Sequence, residues 1–281
     1  MAIQNNNFLG SRQLLAGLVA GALAAQVMSS SAQIVTLTDN NSVAQINTGS
    51  QAGMFNWSVD GQNQLAQQWF WFRVGGVGPE ASINTISGST ITQPNTKSAN
   101  VSYANAAYGV SVNYTLNGQA PGSGLSGMGE LVRISNFTAA PLDFHFFQYS
   151  DFDLGGTPGG QSVVLSKNSF TGLWNTADHF APGVALSETV ATPGANHAEA
   201  GLFPNTLNKL NNGVADTLND VAGAGPGNVT WAFEWDLTIA PGSSADINKA
   251  LSLTITQVPE PTSVALISLG LLAFGIKRRK N

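Results

Sequence analysis

The 281-residue chain is 43% hydrophobic but only 10% charged, has no cysteine and three histidines, and carries a formal net charge of −5 at pH 7. Lack of cysteine excludes disulfides, thiol nucleophiles and Cys-ligated metal centres, and His145, His179 and His197 are too few for a His-rich zinc site. The acidic balance argues against nucleic acid or an anionic lipid surface as partner, because both are bound through basic patches.

The chain opens with the three parts of a secretory leader over residues 1–32. Arg12 supplies the positive charge, Leu14–Val27 the apolar stretch, and Ser30-Ser31-Ala32 small residues for cleavage after Ala32, with Ala22-Leu23-Ala24 as an earlier site. The expected ectodomain, residues 33–257, holds six basic and fifteen acidic residues, a net −9. Its polarity comes mostly from Asn, Gln, Ser and Thr.

This segment reads as all-β, a large antiparallel sandwich. Short runs rich in Val, Ile, Thr and aromatics alternate with Gly, Asn, Pro and Ser clusters. Strands are expected at Ser42–Asn47, Gly53–Val59, Leu65–Val74, Asn100–Ala104, Tyr108–Leu116, Gly129–Asn136, Leu142–Asp151, Ser162–Lys167, Ser169–Trp174, Val184–Val190, Val229–Ile239 and Ile247–Gln257. Leu207, Leu210, Val214, Leu218 and Val221 recur at helical spacing and predict one helix or two short ones within Asn205–Ala222, with Gly213 weakening it.

Alternation along Leu142–Leu154 puts Leu142, Phe144, Phe146, Phe152 and Leu154 on a core face. Asp143, His145, Phe147, Tyr149, Asp151 and Asp153 fall on the other, where they form a candidate binding surface. Asp151 and Asp153, followed by Gly155-Gly156, are the candidates for a Ca²⁺ site; the plainer reading is two acids solvating a strand end. His145 reads as a hydrogen-bonded structural residue, since no Ser or Cys nucleophile motif accompanies it. Trp69-Phe70-Trp71-Phe72 predicts a strand buried on both faces. Trp231, Phe233 and Trp235 share one face, as core packing or, less simply, as a platform for sugar rings. Glu130, Glu188 and Glu234 are the carboxylates available to a hydrolase, provided the fold brings two of them together.

The last segment, 258–281, has three parts. Val258-Pro259-Glu260-Pro261 is held extended by its prolines, Thr262–Ile276 is an uncharged apolar run, and Lys277-Arg278-Arg279-Lys280 is basic. As a helix the apolar run spans ~22 Å against about 30 Å of hydrocarbon, a short transmembrane helix whose basic end stays cytoplasmic. In order and spacing this tail resembles the PEP-CTERM sorting signal. The resemblance implies an exosortase-type processing enzyme as partner, a transient stay in the inner membrane, and final location at the cell surface or outside the cell of an exopolysaccharide-producing bacterium. The segments Asp60–Trp71 and Trp231–Asp236 are similar to those of secreted β domains that occur with such tails, a likeness that carries no catalytic residues. The leading expectation is a non-enzymatic surface or extracellular-matrix protein without cofactor. A carbohydrate-binding module and a secreted carboxylate-dependent hydrolase are the alternatives.

Overall fold

The computed structural model describes residues 33–256, so the leader with Ala32 and the tail with its sorting residues and apolar helix lie outside the described residues. Eighteen strands follow one another: β1 (Ile34–Asp39), β2 (Ser42–Asn47), β3 (Gly53–Val59), β4 (Gln62–Asn63), β5 (Gln67–Val74), β6 (Ala81–Ser82), β7 (Thr90–Asn95), β8 (Ser98–Ala104) and β9 (Tyr108–Gly118) form the first half. The second half is β10 (Leu125–Asn136), β11 (Leu142–Asp151), β12 (Gln161–Lys167), β13 (Trp174–Ala181), β14 (Val184–Thr192), β15 (His197–Leu202), β16 (Gly223–Gly227), β17 (Val229–Ile239) and β18 (Ser244–Ile255).

They pair into two nine-stranded sheets. Sheet A runs β1-β2-β3-β5-β11-β17-β15, with β4 on β3 and β6 on β5; sheet B runs β16-β12-β13-β14-β18-β10-β9-β8-β7. Pairing is antiparallel except between β3 and β5, which meet in parallel at Gly53 and Met54 opposite Gln68. Strict alternation explains sheet B: in β10 the residues Met128, Val132 and Ile134 face inward, and in β18 Ile247, Leu251 and Leu253 do. Facing residues of both sheets merge into one hydrophobic cluster, in which Phe70 stacks on Phe146, Phe72 on Phe144 and Phe152 on Trp231. The sandwich edges are closed by backbone hydrogen bonds, Thr38 N–H to Thr96 O (2.7 Å) on one side and Leu165 N–H to Ala222 O (2.6 Å) on the other.

The antiparallel sandwich is the expected fold class, and most expected strands are present. The helical stripe is not. Only α1 (Asn205–Lys209) is helical; Gly213 has φ +83°, and the chain continues as an extended cover across the outer face of sheet A. Ser169–Trp174 is likewise a turn, closed by Gly172 N–H on Asn168 O, and the strand starts at Trp174. Among the described residues no helix is long and apolar enough to cross a membrane.

Candidate functional site

Sheet A has two faces of different character. Its inner face belongs to the sandwich core, while the outer face carries a cluster of two histidines and several carboxylates. Cross-strand register sets the arrangement: Arg73, His145 and Asp236 lie in one row across β5, β11 and β17, and Glu234 and His197 are opposite each other on β17 and β15. His145 Nδ1 is 2.5 Å from Asp236 Oδ1 and 3.8 Å from Glu234 Oε1, and its Nε2 is 3.7 Å from Asp143. His197 lies 3.3 Å from Asp220 and 3.7 Å from Asp236. Ligand atoms of His145, Glu234 and Asp236 fall within 4.8 Å of one another, a spacing that can hold a divalent ion.

Most of this face is covered by residues 203–222, and buried carboxylates hold the cover down. Glu234 Oε2 accepts the Leu218 N–H at 2.8 Å. Glu80 Oε1 accepts the Asp216 N–H at 3.0 Å and pairs with Arg73, whose Nη1 also donates to Asp216 O at 2.6 Å. Glu199 binds Thr206 Oγ1 at 2.8 Å, the Asn219 N–H at 2.9 Å and Lys209 Nζ. Burial pushes Glu234 up to about 8, and Asp236 and Glu80 add to the rise while Arg73 and the Leu218 N–H oppose it. At neutral pH Glu234 therefore keeps a proton, and its buried Oε1 has no hydrogen-bond partner. Asp220 is shifted the other way: against the cost of burial, the Ala198 N–H, the Trp174 indole and His197 lower it.

The expected binding row on β11 is thus mostly a second core face. Phe147 and Tyr149 have no exposure, and of the row only Asp143, at 57% of its side chain, His145, at 16%, and the half-buried Asp153 reach solvent. Asp151 does not solvate a strand end, while Asp153, just beyond β11, stays half-buried. Asp151 is buried, and burial together with the charge of Asp153 raises it to about 7; burial also raises Asp153. Asp151 Oδ1, Asp153 Oδ1, Thr230 Oγ1 and Asn228 Oδ1 are buried without hydrogen-bond partners, and Thr230 is the cross-strand partner of Asp151. Such oxygen-only donors have the character that Ca²⁺ takes.

The tryptophans are core. Trp69, Trp71, Trp231 and Trp235 are all fully buried, so none offers a face to a sugar ring. Nor do the three hydrolase carboxylates converge on a cleft. Glu234 is on the outer face of sheet A, whereas Glu130 and Glu188 are sealed between the sheets around Lys249. That interior trio escaped the sequence reading, although its signal was present: each charged residue occupies the apolar phase of its strand, Glu130 with Met128 and Val132, Glu188 with Leu186 and Val190, Lys249 with Ile247 and Leu251. A cleft of about 400 Å³ lies beside β6, lined by Ser50, Gln51, Asn84, Thr85 and Asn211 among others.

Residues 257–280 match the PEP-CTERM protein-sorting motif, so the tail is a sorting signal of that kind. No curated protein matches the sequence. Among solved structures, a bacterial glucoamylase complexed with acarbose is similar with a TM-score of 0.60 at 12% identity, over 85% of this chain and 35% of that one. The chain therefore spans about a third of the glucoamylase. A putative aldose 1-epimerase from Escherichia coli K12 has a TM-score of 0.55 at 13% identity, over 79% of this chain and 99% of that one. A Synechocystis sp. PCC 6803 protein has a TM-score of 0.53 at 11% identity, over 80% and 96%. At these identities the likeness is one of fold.

Proposed function

We propose that the chain is an exported protein of the cell surface or extracellular matrix, processed at its tail by an exosortase-type enzyme, whose sandwich acts without enzymatic turnover. The sorting motif supports export with a transient membrane stop. The observation that carries the non-enzymatic reading is the use made of the outer-face carboxylates: Glu80, Glu199 and Glu234 are all engaged in clamping residues 203–222 over sheet A. A group buried under its own cover is not available to a substrate.

Two measurements test this. Mass spectrometry of protein from a host carrying an exosortase is expected to show loss of Lys277–Asn281, and its recovery intact from the envelope would argue for a plain anchor. Polarimetry of freshly dissolved glucose or galactose is expected to show the buffer rate of mutarotation. Acceleration that disappears in His145→Ala would make the outer face a catalytic site instead.

Carbohydrate recognition is the second reading. It draws on the fold shared with a glucoamylase and a putative aldose 1-epimerase and on the polar cleft beside β6. Because the tryptophans are buried, recognition would rest on the amides and hydroxyls of that cleft. Calorimetric titration with the host's exopolysaccharide decides: heat lost in Asn84→Ala supports it, and no heat with the parent chain sinks it.

A further inference from the structure

Between the sheets, remote from the outer face, Lys249 stands between two carboxylates. Glu130 and Lys249 are direct partners across β10 and β18, which sets their Cβ atoms about 5 Å apart on the inner face. Glu188 comes from β14, on the other side of β18. Lys249 Nζ contacts Glu130 Oε2 and lies 3.5 Å from Glu188 Oε1, and none of the three side chains has any exposed surface. Neighbouring groups complete the enclosure. Gln148 Nε2 and Trp231 Nε1 donate to Glu188 Oε2 at 2.8 and 3.3 Å, and Nζ sits 5.2 Å from the centre of the Phe70 ring.

One ammonium and two carboxylates cannot all stay ionised in such an interior, because each sealed charge loses its hydration. Burial holds the Lys249 ammonium well below its ordinary pKa and pushes Glu188 up to about 7. Lowering favours the uncharged, nucleophilic form of the amine, and the raised Glu188 carboxyl can carry a proton. Glu130 Oε1 and Glu188 Oε1 have no hydrogen-bond partner, as befits carboxyls that are not simply solvated anions. Water, which would reverse a condensation, is excluded from the enclosure.

We propose that Lys249 and Glu130 join in an intramolecular isopeptide bond, Nζ to Cδ, with Glu188 relaying the protons. The neutral amine attacks Cδ of the protonated Glu130 carboxyl, forming the C–N bond. Glu188 accepts a proton from nitrogen and gives its own to the departing hydroxyl, the C–O bond breaks, and one water leaves. Charge and oxidation state are unchanged and no co-reactant is required. Cross-strand pairing supplies the reacting groups already oriented, which replaces an encounter in solution by an intramolecular step. The product is an amide with no ionisable group, so neither side chain can take up a charge again in an enclosure where a charge is costly. The bond would tie positions 119 residues apart at the centre of sheet B, in a chain that has no cysteine for a disulfide.

Peptide mapping of the folded full chain tests it. Trypsin does not cut after an acylated lysine, so the expected product is a branched species joining the Glu130 peptide to one that reads through Lys249, lighter than their sum by about 18 Da, one water. Glu130→Gln is expected to form the same bond with loss of about 17 Da, one ammonia. Lys249→Arg should give only linear peptides, and Glu188→Gln should slow cross-linking at least tenfold over a time course after refolding. Should a variant not fold, the parent map decides alone: cleavage after Lys249 and a linear Glu130 peptide of unaltered mass, in aged folded protein, would overturn the proposal. Cross-linking at parental rate in Glu188→Gln would remove Glu188 from it.

Discussion

The Leu218 backbone N–H donates to Glu234 Oε2 over 2.8 Å, which fastens the 203–222 cover to strand β17 beneath it. Neither atom is exposed to water, so removing the acceptor leaves a buried amide unpaired, at a cost of about 2 kcal/mol. Glu234→Leu is expected to release the cover, lowering Tm and opening residues 211–219 to limited proteolysis. Glu234→Gln keeps an accepting oxygen and should retain parental resistance. Equal cleavage of both variants and the parent would show that this bond does not hold the segment.

Burial of Glu234 and Asp151 makes stability fall as pH rises, the reverse of the behaviour of salt-bridged carboxylates. In the unfolded chain both ionise near their ordinary values of 4.5 and 3.8; in the folded chain they hold their protons to about 8 and about 7. Well below pH 4, near pH 3, both states are protonated and the groups contribute almost nothing. Above it the unfolded state sheds protons first, and folding loses stability until the native pKa is passed. His179 opposes this, because burial lowers it to about 3 and its contribution grows between about pH 3 and 6.5. A difference experiment separates them. Asp151→Asn should match the parent near pH 3 and exceed it at pH 8 by about 4 kcal/mol in chemical denaturation. Asp153, Tyr149 and Thr230 surround the same carboxyl and are unchanged in that comparison. A pH-independent difference would show that Asp151 ionises normally in the folded state.

Calcium interrogates the same place. Ionised Asp151 beside Asp153, with the unpartnered oxygens of Asn228 and Thr230, would gain from a hard cation what it lacks in hydrogen bonds. Millimolar CaCl₂ at pH 8 is expected to raise Tm by a few degrees, about what binding at many times Kd supplies. EDTA should reverse the shift, and Asp151→Asn should not respond. A melting curve indifferent to calcium would leave protonated Asp151 as the resting form.

Legibility followed the kind of information each element uses. Strands with one polar face announced themselves by alternation, as in Gly129–Asn136 and Ile247–Gln257, and even the doubly buried Trp69–Phe72 was plain from its lack of polar positions. What sequence could not display was the cover on sheet A. Leu210 and Leu218 are buried at helical spacing, yet Val214 and Val221 in the same stripe are exposed, because an extended segment was satisfying the same apolar demand two contacts at a time. The outer face of β11 was misjudged too, since Phe147, Tyr149 and Asp151 on it are buried, which alternation along one strand cannot show. The clustering of His145 with Glu234 and Asp236 depends on β11 pairing with β17, a non-local register that spacing along one strand cannot reveal.

Gly53 marks the corner where sheet A changes direction, and its substitution should be among the most damaging single changes in the chain. It lies at φ +56° at the start of β3, opposite Gln68 in the parallel contact between β3 and β5. A Cβ there would lie 2.4 Å from both the Gln68 carbonyl oxygen and the Trp69 ring. Neither neighbour can yield, since Gln68 and Trp69 are buried in β5 and the Trp69 indole is fixed by its hydrogen bond to Ser82 Oγ at 2.8 Å. Left-handed backbone costs an alanine about 1 kcal/mol or more, and overpacking against a fixed core adds about 1–3. Gly53→Ala is therefore expected to lose about 3 kcal/mol in urea denaturation, with red-shifted Trp69 emission if β5 separates from β3. Gly61, with φ +85° but open space around its Cβ position, is the control: Gly61→Ala should lose only the backbone term, about 1 kcal/mol. Equal losses at both positions would show that backbone conformation alone, and not the close approach of β5, makes Gly53 necessary.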